Sequence, residues 1–270
     1  MDALKRRLAG TAIGSSLARG RQLWALLRTT THPELWGMLS QDTCAEKLLV
    51  RLCRPRKTFL DIGAHIGSVF GEVRRLDRSI KIIAVEAIPD KVKTLQRRFD
   101  DVTFHCCALG EENREVPFFV NTKLSGYSSL ANGSRNKESA VEIRVQLCPL
   151  DELIPDVDDI DLIKLDVEGA ELGVLRGGDK VIDRSRPVVM FESGPDGGKA
   201  LGFTPQAVFE WFNQRDFDVL VPNRLAHECP GLSLEGFLDS HRFPRRTLNY
   251  FAVPSERRDE VRVRAHSILA

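Results

Sequence analysis

Phe59-Leu60-Asp61-Ile62-Gly63-Ala64-His65-Ile66-Gly67 is the stretch that decides the fold class. An apolar strand runs directly into a glycine-punctuated turn, and Ser68 to Leu76 then reads as a helix. Glycine lets the backbone fold tightly and lets a ligand approach the main chain. The spacing is G-x-x-x-G, not the G-x-G-x-x-G of dinucleotide sites. Asp61 falls at the carboxyl end of the strand, where open α/β sheets bind ligands. A dinucleotide site sets a helix N-terminus under a pyrophosphate. An acid before the turn suits a cation instead, and a sulfonium that also carries an ammonium group, as S-adenosylmethionine does, meets that need.

Outward from this turn, short apolar runs bounded by turn residues read as buried parallel strands: Thr58 to Ile62, Lys81 to Val85, Val102 to Cys107, Leu162 to Val167, Pro187 to Phe191, Asp218 to Val221 and Asn249 to Val253. Helical stretches separate most of them. Pro89 to Phe99 follows the second strand, Glu168 to Ile182 the fourth, with a break expected at Gly177-Gly178, and Thr204 to Asn213 the fifth. Strand and helix in alternation predict a doubly wound α/β sheet. The segment 111–150 interrupts the pattern. Val116 to Asn121 and Val141 to Leu147 read as inserted strands, and the polar stretch between them reads as a substrate loop or lid.

Two further motifs carry chemistry. Ile82-Ile83-Ala84-Val85-Glu86-Ala87 is a strand ending in an acid, and a carboxylate there can accept both ribose hydroxyls of a nucleoside. Asp161-Leu162-Ile163-Lys164-Leu165-Asp166-Val167-Glu168-Gly169-Ala170-Glu171 puts a lysine and acids into a strand that should be buried. Alternation sets Lys164 and Asp166 on one face. A lysine inside a parallel sheet is costly unless paired, so an acid or a site opening is expected beside it. Asp61, Asp166 and Glu192 all fall at strand carboxyl ends and are expected to converge on one cleft. Glu168 and Glu171 read equally well as favourable charge in a first helical turn.

These segments, together with Ser125-Gly126-Tyr127-Ser128-Ser129-Leu130, Leu150-Asp151-Glu152-Leu153 and Asn249-Tyr250-Phe251-Ala252-Val253, resemble the FkbM-type methyltransferases from about Thr58 to Pro254. The resemblance implies a Rossmann-like class I methyltransferase fold: a mostly parallel seven-stranded sheet, helices on both faces and a reversed last strand. It implies S-adenosylmethionine as cofactor and O-methylation of a sugar, glycan or secondary metabolite. By position Asp61, Gly63, Ala64, His65 and Gly67 would line the methionine end. Glu86 would hold the ribose, Ala87 would also contact the cofactor, and Cys107, Ala108 and Leu109 would lie near the adenine. Asp166 would face the methionine or the reacting methyl. His65 stands where the family commonly has Asn.

A sugar hydroxyl is a poor nucleophile, and a base speeds its attack by ~10²–10⁴-fold. Asp166, Glu192 and His65 are the candidate bases, with Lys164 orienting a carboxylate or lowering its pKa. Tyr127, Ser128 and Ser129 are candidate substrate contacts. No metal is assigned, and Asp166 with Glu192 is the pair that could hold one. Readings as a nicotinamide oxidoreductase or as a non-catalytic nucleotide binder compete; the glycine spacing argues against the first.

The 270 residues carry a net charge of +1, which gives no bulk attraction to polyanions, and no interleaved basic and aromatic stripe argues for nucleic acid. The charge is uneven. Residues 1–57 hold eleven Lys or Arg against Asp2, Glu34, Asp42 and Glu46. The expected organisation is this basic helical segment, a methyltransferase domain over 58–254 and a tail over 255–270. The basic segment reads as a helix capping the domain or a loose tail, with peripheral membrane contact as the alternative. Six cysteines without a C-x-x-C pair suggest neither a disulfide framework nor a zinc site, so a reducing cytoplasm is the default. No apolar run is long enough to span a bilayer.

Overall fold

The computed structural model describes residues 30–121, 128–130, 140–157, 159–196 and 198–270. Helix α1 (Trp36–Leu49) precedes the sheet. The first half then runs β1 (Thr58–Ile62), α2 (Ser68–Leu76), β2 (Lys81–Val85), α3 (Pro89–Gln96) and β3 (Thr103–His105). A smaller unit follows, β4 (Ala108–Leu109), β5 (Arg114–Asn121) and β6 (Ala140–Cys148), then a short α4 (Leu150–Leu153). The second half is β7 (Ile160–Leu165), α5 (Glu171–Gly177), α6 (Asp179–Ser185), β8 (Val188–Glu192), α7 (Pro205–Asn213), β9 (Phe217–Leu220), α8 (Leu234–Ser240), β10 (Asn249–Pro254) and α9 (Arg258–Leu269).

The large sheet has seven strands in the order β3-β2-β1-β7-β8-β10-β9. The pairs from β3 to β8 are parallel, and β10 runs antiparallel to both β8 and β9. This is the expected Rossmann-like class I sheet with its reversed last strand. The order reverses between β1 and β7, so their carboxyl ends frame the crevice where such sheets bind ligands.

Alternation along each strand distributes the core. Leu60, Ile62, Ile83, Val85, Ile163, Leu165 and Phe191 face one side with α5, α6, α7 and α8. Phe59, Ile82, Ala84, Leu162 and Phe251 face the other with α1, α2 and α9. β1 and β7 are buried at every position; each large apolar side chain so removed from water contributes about 1.5–3 kcal/mol. Helix α1, from the basic first segment, and α9, from the residues expected as a tail, both pack into this second layer through Leu48, Leu49, Val261 and Ala265.

The fourth strand ends at Leu165 rather than Val167 and the helix after the second strand at Gln96 rather than Phe99, and two elements differ more. The third strand ends at His105 rather than Cys107, because the chain then crosses to a three-stranded sheet in which Ala108 and Leu109 pair with Leu147 and Cys148. Cys106 is exposed and Cys107 buried. The helix expected over Glu168 to Ile182 begins only at Glu171; its break falls at Gly178, where the glycine pair predicted one. Glu168 and Gly169 hold left-handed backbone conformations ahead of it (φ 54° and 100°). At Gly177 a Cβ would stand 1.9 Å from the carbonyl oxygen of Gly110, so the close approach of two backbones admits only glycine. α7 starts as expected, with the Thr204 hydroxyl accepting from the Ala207 N–H at 3.1 Å and Pro205 at the first helical position.

Candidate active site

The glycine turn is built by opposition to β7. Gly63 has φ 80°, and a Cβ there would fall 1.9 Å from the carbonyl oxygen of Asp166. The N–H groups of Gly63 and Ala64 both donate to Val85 O at 3.0 Å, which bends the chain over the end of β2. His65 has φ 52°, a left-handed conformation that Asn and His enter more readily than most residues. Its N–H donates to Glu86 Oε2 at 2.8 Å. The other carboxylate oxygen of Glu86 accepts from the Ile88 N–H at 3.0 Å and lies 3.7 Å from Lys91 Nζ. Burial pushes the Glu86 carboxyl up, and Lys91 and these N–H groups oppose it.

Beside the turn lies a buried charge relay. Lys164 Nζ stands 3.4 Å from Asp61 and 3.2 Å from Asp166, and donates to Gly63 O at 3.0 Å. Burial disfavours its charge, but Asp166 and Asp61 outweigh that and raise Lys164 above the usual lysine range. Burial pushes Asp61 up against the pull of Lys164. Burial also works against ionised Asp166, yet Lys164, a hydrogen bond with Glu192 and the charge of His65 hold it below the usual carboxylate range. Glu192 is pushed up to about 9, first by burial and then by the Asp166 charge. At neutral pH the pair therefore shares one proton, Glu192 protonated and Asp166 ionised. Glu171, raised by burial to about 7, accepts from the N–H groups of Val167 and Gly169 at 3.2 Å each and so fixes the loop between β7 and α5.

These groups border a cavity of about 430 Å³ at the carboxyl ends of β1, β2, β7 and β8, within the size range of small-molecule sites. Of the residues singled out from sequence, Gly63, Ala64, His65, Glu86, Ala87, Cys107, Ala108, Leu109, Lys164, Asp166 and Glu192 line it. Asp61 and Gly67 do not. Asp61 is 1% exposed and lies beneath the cavity, its carboxylate turned to Lys164; the expected direct contact of Asp61 with a cationic ligand is thus replaced by a contact with a buried lysine. Gly67 caps α2 from the residue before its start, and a Cβ there would strike Phe70 at 2.6 Å. Ser128 reaches the cavity, Ser129 pairs with Phe119, and Tyr127 lies outside the described residues.

Sequence reasoning missed Lys91 and Phe118 on the cavity wall, and it left Leu130 and Glu168, both inside motifs it singled out, without a place there. Phe118 sits at an inward position of β5, legible as alternation once the facing layer is known. Lys91 carried no signal apart from lying one turn into the helix after Glu86. The carboxylates of Asp166, Glu168 and Glu192 bring one oxygen each to within 4.8 Å of one another, close enough to share a divalent cation as well as a proton. Among the described residues no helix is long and apolar enough to cross a membrane.

Residues 61–219 match the family model described as the methyltransferase FkbM domain, more than half of the chain. "Methyltransferase 1" of Beauveria bassiana (strain ARSEF 2860) is 29% identical over 147 residues, 46% of this chain and 59% of that protein. Among solved structures, methyltransferase FkbM from Methylobacillus flagellatus KT is 19% identical with a TM-score of 0.47, over 77% of this chain and 47% of that one. A precorrin-6y C5,15-methyltransferase from Geobacter metallireducens GS-15 is 14% identical with a TM-score of 0.39, over 66% and 71%. The chain thus spans less than two thirds of the length of the first two proteins.

Proposed function

The chain belongs to the FkbM methyltransferase family, and from that premise we propose that it transfers the methyl group of S-adenosylmethionine to a hydroxyl oxygen of a sugar, glycan or secondary metabolite. The observation that carries the reading is Glu86. Each of its oxygens takes one backbone N–H, which fixes the carboxylate at the cavity wall and leaves lone pairs for two ribose hydroxyls. The residues present fit the cofactor in a second respect: the turn at Gly63, where a Cβ would collide with Asp166 O, lets a ligand lie close to the backbone.

When bound, S-adenosylmethionine supplies a methyl group already activated by the sulfonium charge. The protein's share is then to position, to balance charge and to take a proton. The backbone at Gly63, Ala64 and His65 holds the methionine end, with ionised Asp166 supplying negative charge at the cavity surface in place of buried Asp61. Ala87, Cys107, Ala108 and Leu109 flank the nucleoside. Asp166 would take the proton of the acceptor hydroxyl as its oxygen is methylated. Lys164 keeps that carboxylate ionised and aimed. Holding the reactants in line supplies up to ~7–11 kcal/mol of the barrier in favourable cases.

Calorimetry with S-adenosylmethionine, S-adenosylhomocysteine and NAD tests the cofactor. Binding of NAD alone refutes the proposal. Labelled methyl transfer to hydroxylated acceptors, read as alkali-stable ether label, tests the chemistry. Asp166→Asn should lower turnover by ~10²–10⁴-fold, and full activity in that variant removes Asp166 from the reaction.

A further inference from the structure

Two exposed aromatic side chains lie at the end of the sheet where the cavity opens. Phe243 is 76% exposed and Trp36 57%. Their placement follows from β10. Asn249 begins this reversed strand opposite Glu192, and the Ser193 N–H donates to Leu248 O at 2.8 Å. The stretch from His241 to Leu248 therefore adjoins the end of β8 that carries Glu192. Helix α1 borders the same corner, because Asn249 Nδ2 donates to Asp42 Oδ1 at 3.1 Å. Beyond its other end, Arg54 Nε donates at 2.8 Å to Asp161, near the amino end of β7. The helix thus runs from the carboxyl edge of the sheet to the amino edge. Trp36, six residues before Asp42, stands about 9 Å further out along the helix.

Arg242, Arg245 and Arg246 flank Phe243. Asp239 alone is in ion-pair range of Arg242 and Arg246 among the described residues, at 3.6 and 3.8 Å and largely in solvent, where such pairs contribute little.

We propose that this end of the molecule docks on an anionic phospholipid surface, with Phe243 and Trp36 entering the interface and the arginines meeting the lipid phosphates. An anionic bilayer offers both halves of what is presented here: a headgroup boundary that accommodates aromatic rings and a negative potential that attracts clustered cations. The docking face borders the cavity, so an acceptor hydroxyl would be presented from the membrane surface; that consequence rests on the proposed methyl transfer, whereas the docking itself does not.

Co-sedimentation of the full chain with vesicles of phosphatidylcholine, with and without phosphatidylserine, tests the idea. Binding is expected only with phosphatidylserine and should weaken as salt rises. Arg242→Ala/Arg246→Ala should lower the partition coefficient about 25-fold, at about fivefold per cation near the surface. Phe243→Ser should weaken binding at low and at high salt alike. Calorimetry with S-adenosylmethionine on the same variants reports an intact fold, and a failure there in the unaltered chain sinks the cofactor reading while leaving the docking result standing. No binding to anionic vesicles, equal binding to neutral ones, or undiminished binding by these variants overturns the proposal. So does retention on an RNA or DNA duplex without vesicle binding.

Discussion

Replacing Lys164 by methionine isolates the buried charge relay, and its cost can be worked from the geometry. Methionine keeps most of the length and volume of lysine, so the cavity contribution is small. What is lost is the cation 3.4 Å from Asp61 and 3.2 Å from Asp166. The two carboxylates respond differently. The Asp166 side chain is 36% exposed and can be solvated, whereas that of Asp61 is 1% exposed and cannot. Removing one partner of a buried pair costs about 3–5 kcal/mol, and here most of it falls on Asp61. With a denaturation slope of about 3 kcal/mol/M, the urea midpoint should fall by about 1–1.7 M at pH 7. The pH dependence has a definite sign. Burial already raises Asp61, and without Lys164 only the Phe70 N–H opposes that. A carboxyl raised in the folded state contributes fully below its unfolded pKa and loses that contribution as pH rises through the folded value. The variant's deficit should therefore shrink toward acid pH and widen toward neutrality. Asp61→Asn added to the variant should recover most of the loss. A deficit under about 1 kcal/mol at pH 7, or no recovery with Asp61→Asn, refutes the relay.

Three other outcomes follow from the site. Glu86→Ala should weaken S-adenosylmethionine binding by at least ~10-fold, since hydrogen bonds to a charged acceptor contribute about 1.5–3 kcal/mol; an unchanged calorimetric affinity removes the ribose role. Glu192, raised to about 9, stabilises the fold fully below its ordinary carboxyl range and loses that stabilisation as pH rises through about 9. The melting-temperature difference between Glu192→Gln and the unaltered chain should accordingly grow from pH 7 to pH 10, and a constant difference contradicts the shared proton. At His65, with φ 52°, Asn should be accepted with little change in stability, whereas Val should cost about 1–3 kcal/mol; chemical denaturation of both variants decides it.

The parts of this molecule legible in the sequence are those set by local rules. The turn after Ile62, the acid after Val85 and the cap at Thr204 are each fixed by neighbours within a few residues. The fate of Asp61 is not local. It depends on the register that places Asp61 opposite Lys164, a pairing between residues about a hundred apart, and the strand alone cannot say whether its terminal acid meets a ligand or a lysine. The three-stranded sheet was half legible. The alternation of β5 and β6 reads from sequence, but the parallel pairing of Ala108 with Leu147 that ends β3 early rests on contacts across the insertion. Helix α8 escaped because it is seven residues long and contains Gly236; only the Ser233 hydroxyl accepting from the Gly236 N–H at 3.1 Å marks its start.

The relay also bears on what kind of base the proposed reaction uses. A carboxylate held below its usual range by Lys164 is a weak base toward a neutral hydroxyl, whose proton is far less acidic than that of a carboxylic acid. As the oxygen–carbon bond forms, however, the oxygen gains positive charge and its proton becomes strongly acidic. A weak carboxylate then suffices, provided it is ionised and in place when that happens, and general-base assistance of this kind needs correct geometry before it needs basicity. Glu192, protonated and hydrogen-bonded to Asp166, lowers the basicity further but limits the carboxylate's orientations. The same lysine that settles the buried charge of Asp61 thus keeps Asp166 ready, so the stability and the proton chemistry of this site share one side chain. A variant at Lys164 should lose both together, while Asp166→Asn should lose turnover and keep most of the stability, because Asp61 retains its cation.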